Sequence, residues 1–329
     1  MTAICGSCTA PPWPGRSRSE RVCGLGRLPE AVQRRALDEG ERGRAWLAAL
    51  PQILERLESL WRLESVHILD GGSEAVAIAV TLPGARPAVL KIAPPWADLL
   101  GAERRVLEAA GGVGFAELYA VDEAAHALLL ERLGTRLDLL GWTPEAQMDA
   151  LCEALMAVWR APVPSGGLMD GAEKARRLGR FIAETAQALG APLSPAVLAR
   201  ADEYAADRAL AHDPARAVLA HGDAHPANAL QAPDGGGFKF IDPDGLLIEP
   251  AYDLGVIMRE WPEVLLEGGD PLAAGRARCA RLAARTGVDA EAIWRWGYLE
   301  TVSTGLLCCK LDVFDWREMF QVAEAWTAD

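Results

Sequence analysis

The chain has 329 residues, 50% of them hydrophobic and 24% charged, which excludes a fibrous repeat or a wholly disordered chain and gives room for one large domain or two lobes. Thirty-three Lys and Arg against 46 Asp and Glu leave a formal charge of −13, so a nucleic-acid backbone or an anionic membrane is a poor partner and a cationic small molecule a good one. The longest apolar stretch, Ala75 to Leu82, contains Thr81 and is far shorter than the ~20 residues of a membrane helix; seven scattered cysteines are unlike a secreted disulfide framework, and the cytoplasm is the expected compartment.

Residues 1–27 carry Pro11, Pro12, Pro14 and four arginines with few bulky aliphatics, and read as a disordered basic tail. The tail's +3 (Arg16, Arg18, Arg21 and Arg27 against Glu20) means that the remainder carries −16. Cys5, Cys8 and Cys23 have neither a His nor a fourth nearby thiol, so zinc is not expected there. From Leu28 to Leu63, Trp46, Leu50, Ile53, Leu54, Leu57 and Trp61 recur at helical spacing, with Pro51 expected to begin a new helix. Short β-prone runs follow at Val66 to Leu69, Ala75 to Leu82 and Ala88 to Ala93, punctuated by glycine and proline. Leu99 to Ala110 is helical again, and Leu118 to Val121 and Ala127 to Glu131 are two more strands. These elements define an N-terminal lobe over residues 28–132 built on a small antiparallel sheet. Residues 133–329 form a larger, mainly helical lobe, with helices expected at 143–160, 170–189, 195–211 and from 270 onward. The fold class is α+β and bilobal. Within the helical lobe, 218–253 breaks into short strands and polar turns, the place where loop-borne chemistry is expected.

That segment holds His221-Gly222-Asp223-Ala224-His225-Pro226-Ala227-Asn228 and, further on, Phe240-Ile241-Asp242-Pro243-Asp244-Gly245. Phosphoryl transfer needs a group to accept or orient the proton of the attacking hydroxyl and hard oxygen ligands to hold Mg²⁺ on the phosphates. Asp223, Asn228 and Asp242 supply such a set, although each residue type is also an ordinary turn former. Upstream, Lys91 interrupts the apolar strand Ala88 to Ala93 and requires a partner, for which Glu103, twelve residues on, is the natural choice. Gly71-Gly72-Ser73 between two strands forms a hairpin whose backbone, at Gly72 and Ser73, is able to approach phosphate. The strand ending Glu131-Arg132-Leu133-Gly134 offers backbone hydrogen bonds to an adenine ring.

Taken together, His221-Gly222-Asp223 with Asn228, followed by Ile241-Asp242-Pro243-Asp244-Gly245, resembles the aminoglycoside phosphotransferase branch of the protein-kinase-like fold. Pro250-Ala251-Tyr252-Asp253-Leu254-Gly255 and Glu300-Thr301-Val302-Ser303-Thr304-Gly305-Leu306 resemble its streptomycin 6-phosphotransferase and hydroxyurea phosphotransferase subgroup, and the similarity spans roughly residues 28 to 326. The resemblance implies ATP and Mg²⁺ as cofactors, Asp223 as catalytic base, Asn228 and Asp242 as metal ligands, and Lys91 with its partner Glu103 on the phosphates. His221 and Asp253 are expected to support the catalytic loop, and Asp244 and Glu300 to contact the acceptor. Ala224 stands where the family has a larger aliphatic residue. The expected reaction is transfer of the γ-phosphoryl group of ATP to a hydroxyl of an aminoglycoside, streptomycin at its 6-position first. The alternatives are another acceptor (hydroxyurea, a peptide antibiotic or a metabolic alcohol) or a non-catalytic nucleotide-binding scaffold; oligomeric state is not legible.

Overall fold

The computed structural model describes residues 27–70, 74–97, 99–164, 166–190, 193–313 and 316–328; residues 1–26 of the expected tail, and Gly72 and Ser73, lie outside them. The chain divides into two compact units, one drawn from Met1–Ala97 with Ala120–Leu130, the other from Asp98–Tyr119 with Glu131–Asp329.

In the first unit, α1 (Glu30–Asp38) and α2 (Glu41–Trp61) precede β1 (Glu64–Ile68), β2 (Val76–Leu82) and β3 (Arg86–Ile92); β4 (Leu118–Asp122) and β5 (Ala127–Glu131) complete a sheet of order β1-β2-β3-β5-β4. β1 to β3 pair antiparallel, and the β2–β3 register sets Lys91 opposite Ala77. Pro51 does not begin a new helix, because α2 runs through it. The break lies earlier, at Gly40, whose φ of 64° suits glycine. An interior proline costs about 3 kcal/mol, whereas each large apolar side chain removed from water contributes about 1.5–3 kcal/mol. Trp46, Leu50, Leu54 and Leu57 are buried on both sides of Pro51, and that continuous face outweighs the missing hydrogen bond.

α2 is tied to the end of β4 by a two-pronged ion pair, Arg56 Nη1 to Asp122 Oδ2 at 2.9 Å and Nη2 to Oδ1 at 2.7 Å. The Arg56 hydrogen bond holds the Asp122 carboxyl below its ordinary value, against the opposing effect of burial.

The second unit contains α3 (Leu99–Ala110), so this helix, expected with the sheet, groups with the helical part of the chain. Its other helices are α4 (Pro144–Val158), α5 (Gly171–Leu189), α6 (Pro195–Leu210), α7 (Ala251–Met258), α8 (Pro262–Glu267), α9 (Pro271–Thr286), α10 (Ala290–Leu311) and α11 (Trp316–Trp326). Thr143, Asp170, Ser194, Asp270 and Asp289 each cap a helix by accepting an amide hydrogen three residues on, which is why polar residues stand immediately before these apolar runs. β10 (Leu246–Ile248) pairs with both β6 (Met169–Asp170) and β7 (Val218–Ala220), while β8 (Ala229–Gln231) and β9 (Phe238–Phe240) form a hairpin. β6 and β10 have no sequence signature, since two or three residues are too few to show alternation.

α7 and α10 approach closely, with glycine facing a side chain in both directions. A Cβ on Gly255 would lie 2.5 Å from Cβ of Trp296, and one on Gly297 would lie 2.6 Å from Cβ of Met258. Two glycines therefore let these helices touch almost backbone to backbone, around a core of Tyr252, Trp294, Trp296 and Tyr298.

Two outcomes are expected. Gly255→Ala forces α7 and α10 apart and costs about 1–3 kcal/mol, read as a lower urea midpoint. For Asp122→Asn the loss depends on pH: a depressed folded pKa gives stability that is present above the unfolded value of about 3.9 and disappears as pH falls through the folded value. The gap in urea midpoint between wild type and Asp122→Asn should be open at neutral pH and close in acid; a gap independent of pH would show that the ion pair contributes nothing.

Candidate active site

The polar centre is built on one buried carboxylate, Asp253, in the first turn of α7. Its Oδ2 accepts the amide hydrogen of His221 at 3.1 Å and the indole hydrogen of Trp159 at 2.9 Å; its Oδ1 accepts the amide hydrogen of Gly222 at 2.9 Å. Burial pushes this carboxyl above its ordinary value, opposed by the nearby His221 and by the three N–H donors. Two successive loop amides are thus fixed to a helix.

The loop is pinned a second time through its histidine. His221 Nδ1 accepts the amide hydrogen of Asp223 at 3.0 Å, and Nε2 lies 2.8 Å from the carbonyl oxygen of Ile241. An amide only donates and a carbonyl only accepts, so the ring carries its proton on Nε2. Fully buried between Phe115 and Phe240, His221 is a bracket joining the Asp223 loop to the Asp242 loop. Gly222 has φ 92°, and a Cβ there would stand 2.7 Å from Cβ of Asp244; Gly245 has φ 69°, and a Cβ there would strike Val106. Both turns accept only glycine.

These brackets deliver the residues expected to do chemistry. Asn228 Nδ2 donates to the Asp223 carbonyl oxygen at 3.0 Å, leaving its amide oxygen as the atom able to bind a cation. Ile241 N donates to the Asn228 carbonyl oxygen at 3.0 Å, which sets Asp242 beside Asn228 in the chain path. Asp242 itself is exposed and adopts a left-handed φ of 55°. No cluster of three or more His, Cys, Asp or Glu with a metal-holding arrangement occurs among the described residues. One amide and one carboxylate oxygen suit Mg²⁺, which keeps waters and takes phosphate oxygens, better than a cation needing a full protein cage.

Asp223 retains 36% exposure of its side chain, enough to be reached by a substrate. Its Oδ1 takes the Nη2 hydrogen of Arg259 at 2.5 Å, and its Oδ2 lies 3.3 Å from His225 Nε2. Burial would raise its pKa, but the His225 hydrogen bond and the Arg259 charge prevail and hold it well below the usual carboxylate range. Arg259 continues to Glu300 Oε2 at 2.7 Å and Thr304 Oγ1 at 3.1 Å, and Tyr252 donates its hydroxyl hydrogen to Glu300 Oε1 at 2.6 Å. Burial and the Glu300 charge push the Tyr252 hydroxyl up, which keeps it a donor. Glu300, expected at the acceptor, is thus buried with both oxygens occupied.

Asp244 is exposed as a residue, yet the atoms crowding its carboxyl desolvate it and raise its pKa, with Lys174 opposing. Lys91 is buried in β3 and Glu103 is buried on α3. The Glu131 amide donates to the Glu117 carbonyl oxygen at 2.8 Å, while its side chain takes the Lys239 ammonium at 2.7 Å; Leu133 is buried. Ala224 is fully buried. Sequence reasoning missed Arg259, Trp159 and Phe115. Arg259 had a signal, a lone cation closing the apolar run Leu254 to Met258; the aromatic residues had none, since their partners are more than 90 residues away in sequence.

A two-unit chain with an antiparallel sheet, a mainly helical remainder and this arrangement of aspartates and asparagine defines a phosphotransferase of the protein-kinase-like fold. The model of the aminoglycoside/hydroxyurea antibiotic resistance kinase family matches residues 61–309, and the chain belongs to that family. It is an ATP-dependent kinase that phosphorylates a hydroxyl, of the antibiotic-resistance type. Streptomycin 6-kinase of Streptomyces glaucescens is 30% identical over 264 residues, covering 79% of this chain and 83% of that protein. Streptomycin 6-kinase of Streptomyces griseus is 31% identical over 231 residues, covering 68% and 69%. Among solved structures, choline kinase LicA of Streptococcus pneumoniae superposes with a TM-score of 0.57 at 18% identity, over 84% of this chain and 97% of that one, a likeness of fold. No helix among the described residues is long and apolar enough to cross a membrane.

Asp253→Asn keeps the shape but turns an NH₂ group toward the donors around it, leaving buried N–H groups unpaired. It should cost about 1–3 kcal/mol in urea unfolding and, by loosening the Asp223 loop, lower turnover roughly tenfold or more.

Proposed function

We propose that the protein phosphorylates streptomycin at its 6-hydroxyl with ATP, in the cytoplasm. The observation that carries this acceptor is the similarity to two streptomycin 6-kinases, at 30% identity over 79% of the chain and 31% over 68%. The −16 charge of residues 28–329 supports it, because a guanidinium-bearing acceptor is drawn to an acidic body.

In this reading the acceptor hydroxyl oxygen attacks the γ-phosphorus, the bond from γ-phosphorus to the bridging oxygen of ADP breaks, and the hydroxyl proton passes to Asp223. Asp223 suits the role because it is ionised, partly exposed and oriented by its neighbours. Asn228 and Asp242 would hold Mg²⁺, which when bound neutralises charge on the phosphates. Lys91, for which the sequence offers Glu103 as partner, would contact the phosphates, and Gly72 and Ser73 would approach them. Glu131 and Leu133 would meet the adenine through their backbone, Asp244 would face the acceptor, and His221 and Asp253 hold the loop on which these groups depend.

A second reading keeps the enzyme and exchanges the acceptor for hydroxyurea, which shares the family's description. A small neutral molecule gains nothing from an acidic body, and this favours streptomycin.

Incubation of the protein with ATP, Mg²⁺ and a panel containing streptomycin and hydroxyurea, followed by mass spectrometry, tests the proposal. Streptomycin should gain one phosphoryl group at its 6-position, and Asp223→Ala should abolish the gain while still binding ATP. Phosphorylated hydroxyurea with unmodified streptomycin would transfer the assignment to the second reading.

A further inference from the structure

Arg259, the residue that closes α7, joins two carboxylates from distant parts of the chain. Nη1 binds Glu300 and Thr304 on α10, and Nη2 binds Asp223 Oδ1. Only 13% of its side chain is exposed, and 5% of that of Glu300. A guanidinium is flat and rigid, so seating Nη1 on α10 dictates where Nη2 lies. Its anchor is itself held, because Tyr252 fills the other oxygen of Glu300. The contact on the opposite carboxylate oxygen, from His225 at 3.3 Å, is the looser of the two.

We propose that Arg259 is a positioning residue for phosphoryl transfer: anchored on α10 by Glu300 and Thr304, it holds Oδ1 of Asp223 so that Oδ2 is presented to the acceptor hydroxyl. The hydroxyl then displaces the His225 contact and leaves the Arg259 contact in place. Glu300 acts through Arg259, not on the acceptor. The inference rests on the reading of Asp223 as the catalytic base and is independent of which acceptor is used.

The test compares wild type, Arg259→Ala, Arg259→Lys, Glu300→Gln and the double variant Arg259→Ala/Glu300→Gln. Each is assayed with streptomycin and, separately, for hydrolysis of ATP by water without antibiotic, and its fold is checked by circular dichroism. Arg259→Ala should lose about 100-fold in kcat in both assays while KM for ATP changes by less than about twofold, because the nucleotide makes no use of this contact. Guanidinium at a sub-denaturing concentration should restore part of the loss in Arg259→Ala and none in Asp223→Ala, an effect that a merely structural arginine would not show. Glu300→Gln should lose about tenfold, and the double variant should be no slower than Arg259→Ala, since two residues acting in series are not additive.

Arg259→Ala leaves Glu300 buried without its cation and is the variant most exposed to misfolding. Should it unfold, the double variant, with a neutral glutamine in that place, carries the same comparison. If that also unfolds, Arg259→Lys does so, with a loss of about tenfold expected because an ammonium lacks the two-pronged fork. A folded variant with the kcat of wild type, or a double variant whose loss is the product of the two single losses, overturns the proposal. If wild type hydrolyses ATP and leaves streptomycin unmodified, the acceptor assignment fails while the hydrolysis rates still decide the role of Arg259.

Discussion

Everything at this centre depends on a buried carboxylate that has no reason to be buried except the hydrogens it accepts. Asp253 lies in the first turn of α7 and takes three N–H donors, two from the His221-Gly222 backbone and one from Trp159. An ion in such surroundings is tolerated only while it is fully satisfied. That requirement converts a polar loop, which would otherwise sample many conformations, into one rigid arrangement. The His221 ring then carries this rigidity across to Ile241, and so to Asp242. Asp223 and Asn228 inherit their positions from this frame.

The second constraint is the near contact of α7 and α10, which glycine at 255 and 297 permits. Without it, the end of α7 and the middle of α10 would stand apart, and Arg259 would reach Glu300 only across a wider gap. The close approach places a cation between two carboxylates and supplies Asp223 with a fixed, charged neighbour. A carboxylate on an exposed loop is normally free to rotate; Asp223 is held from behind. Part of the acidity legible in the composition is therefore neutralised inside the protein and is not offered to a substrate.

The likeness to choline kinase LicA at 18% identity is one of fold alone, and a fold does not fix an acceptor. The two streptomycin 6-kinases match this chain at 30% and 31% identity, and the family model spans residues 61–309, which hold α7 and most of α10. It is there that the supporting shell of Asp223 is assembled.

Sequence by itself determined most of the element order and pointed to the family whose model matches the chain. The first three strands of the sheet follow from β-prone runs punctuated by glycine and proline, and most helices of the second unit from apolar spacing and polar caps. Asp223, Asn228 and Asp242 were legible as candidates because their residue types and local spacing suit phosphoryl transfer. Only the tertiary structure decided what supports them. Trp159 meets Asp253 across 94 residues, Arg259 meets Glu300 across 41, and Pro51 sits inside a helix because the buried face around it compensates. Such contacts are set by which surfaces pack together, and no periodicity along the chain encodes them. Glu300 shows the difference most sharply: as a letter in the sequence it is a carboxylate ready for a cationic acceptor, and in the fold that charge is already taken by Arg259.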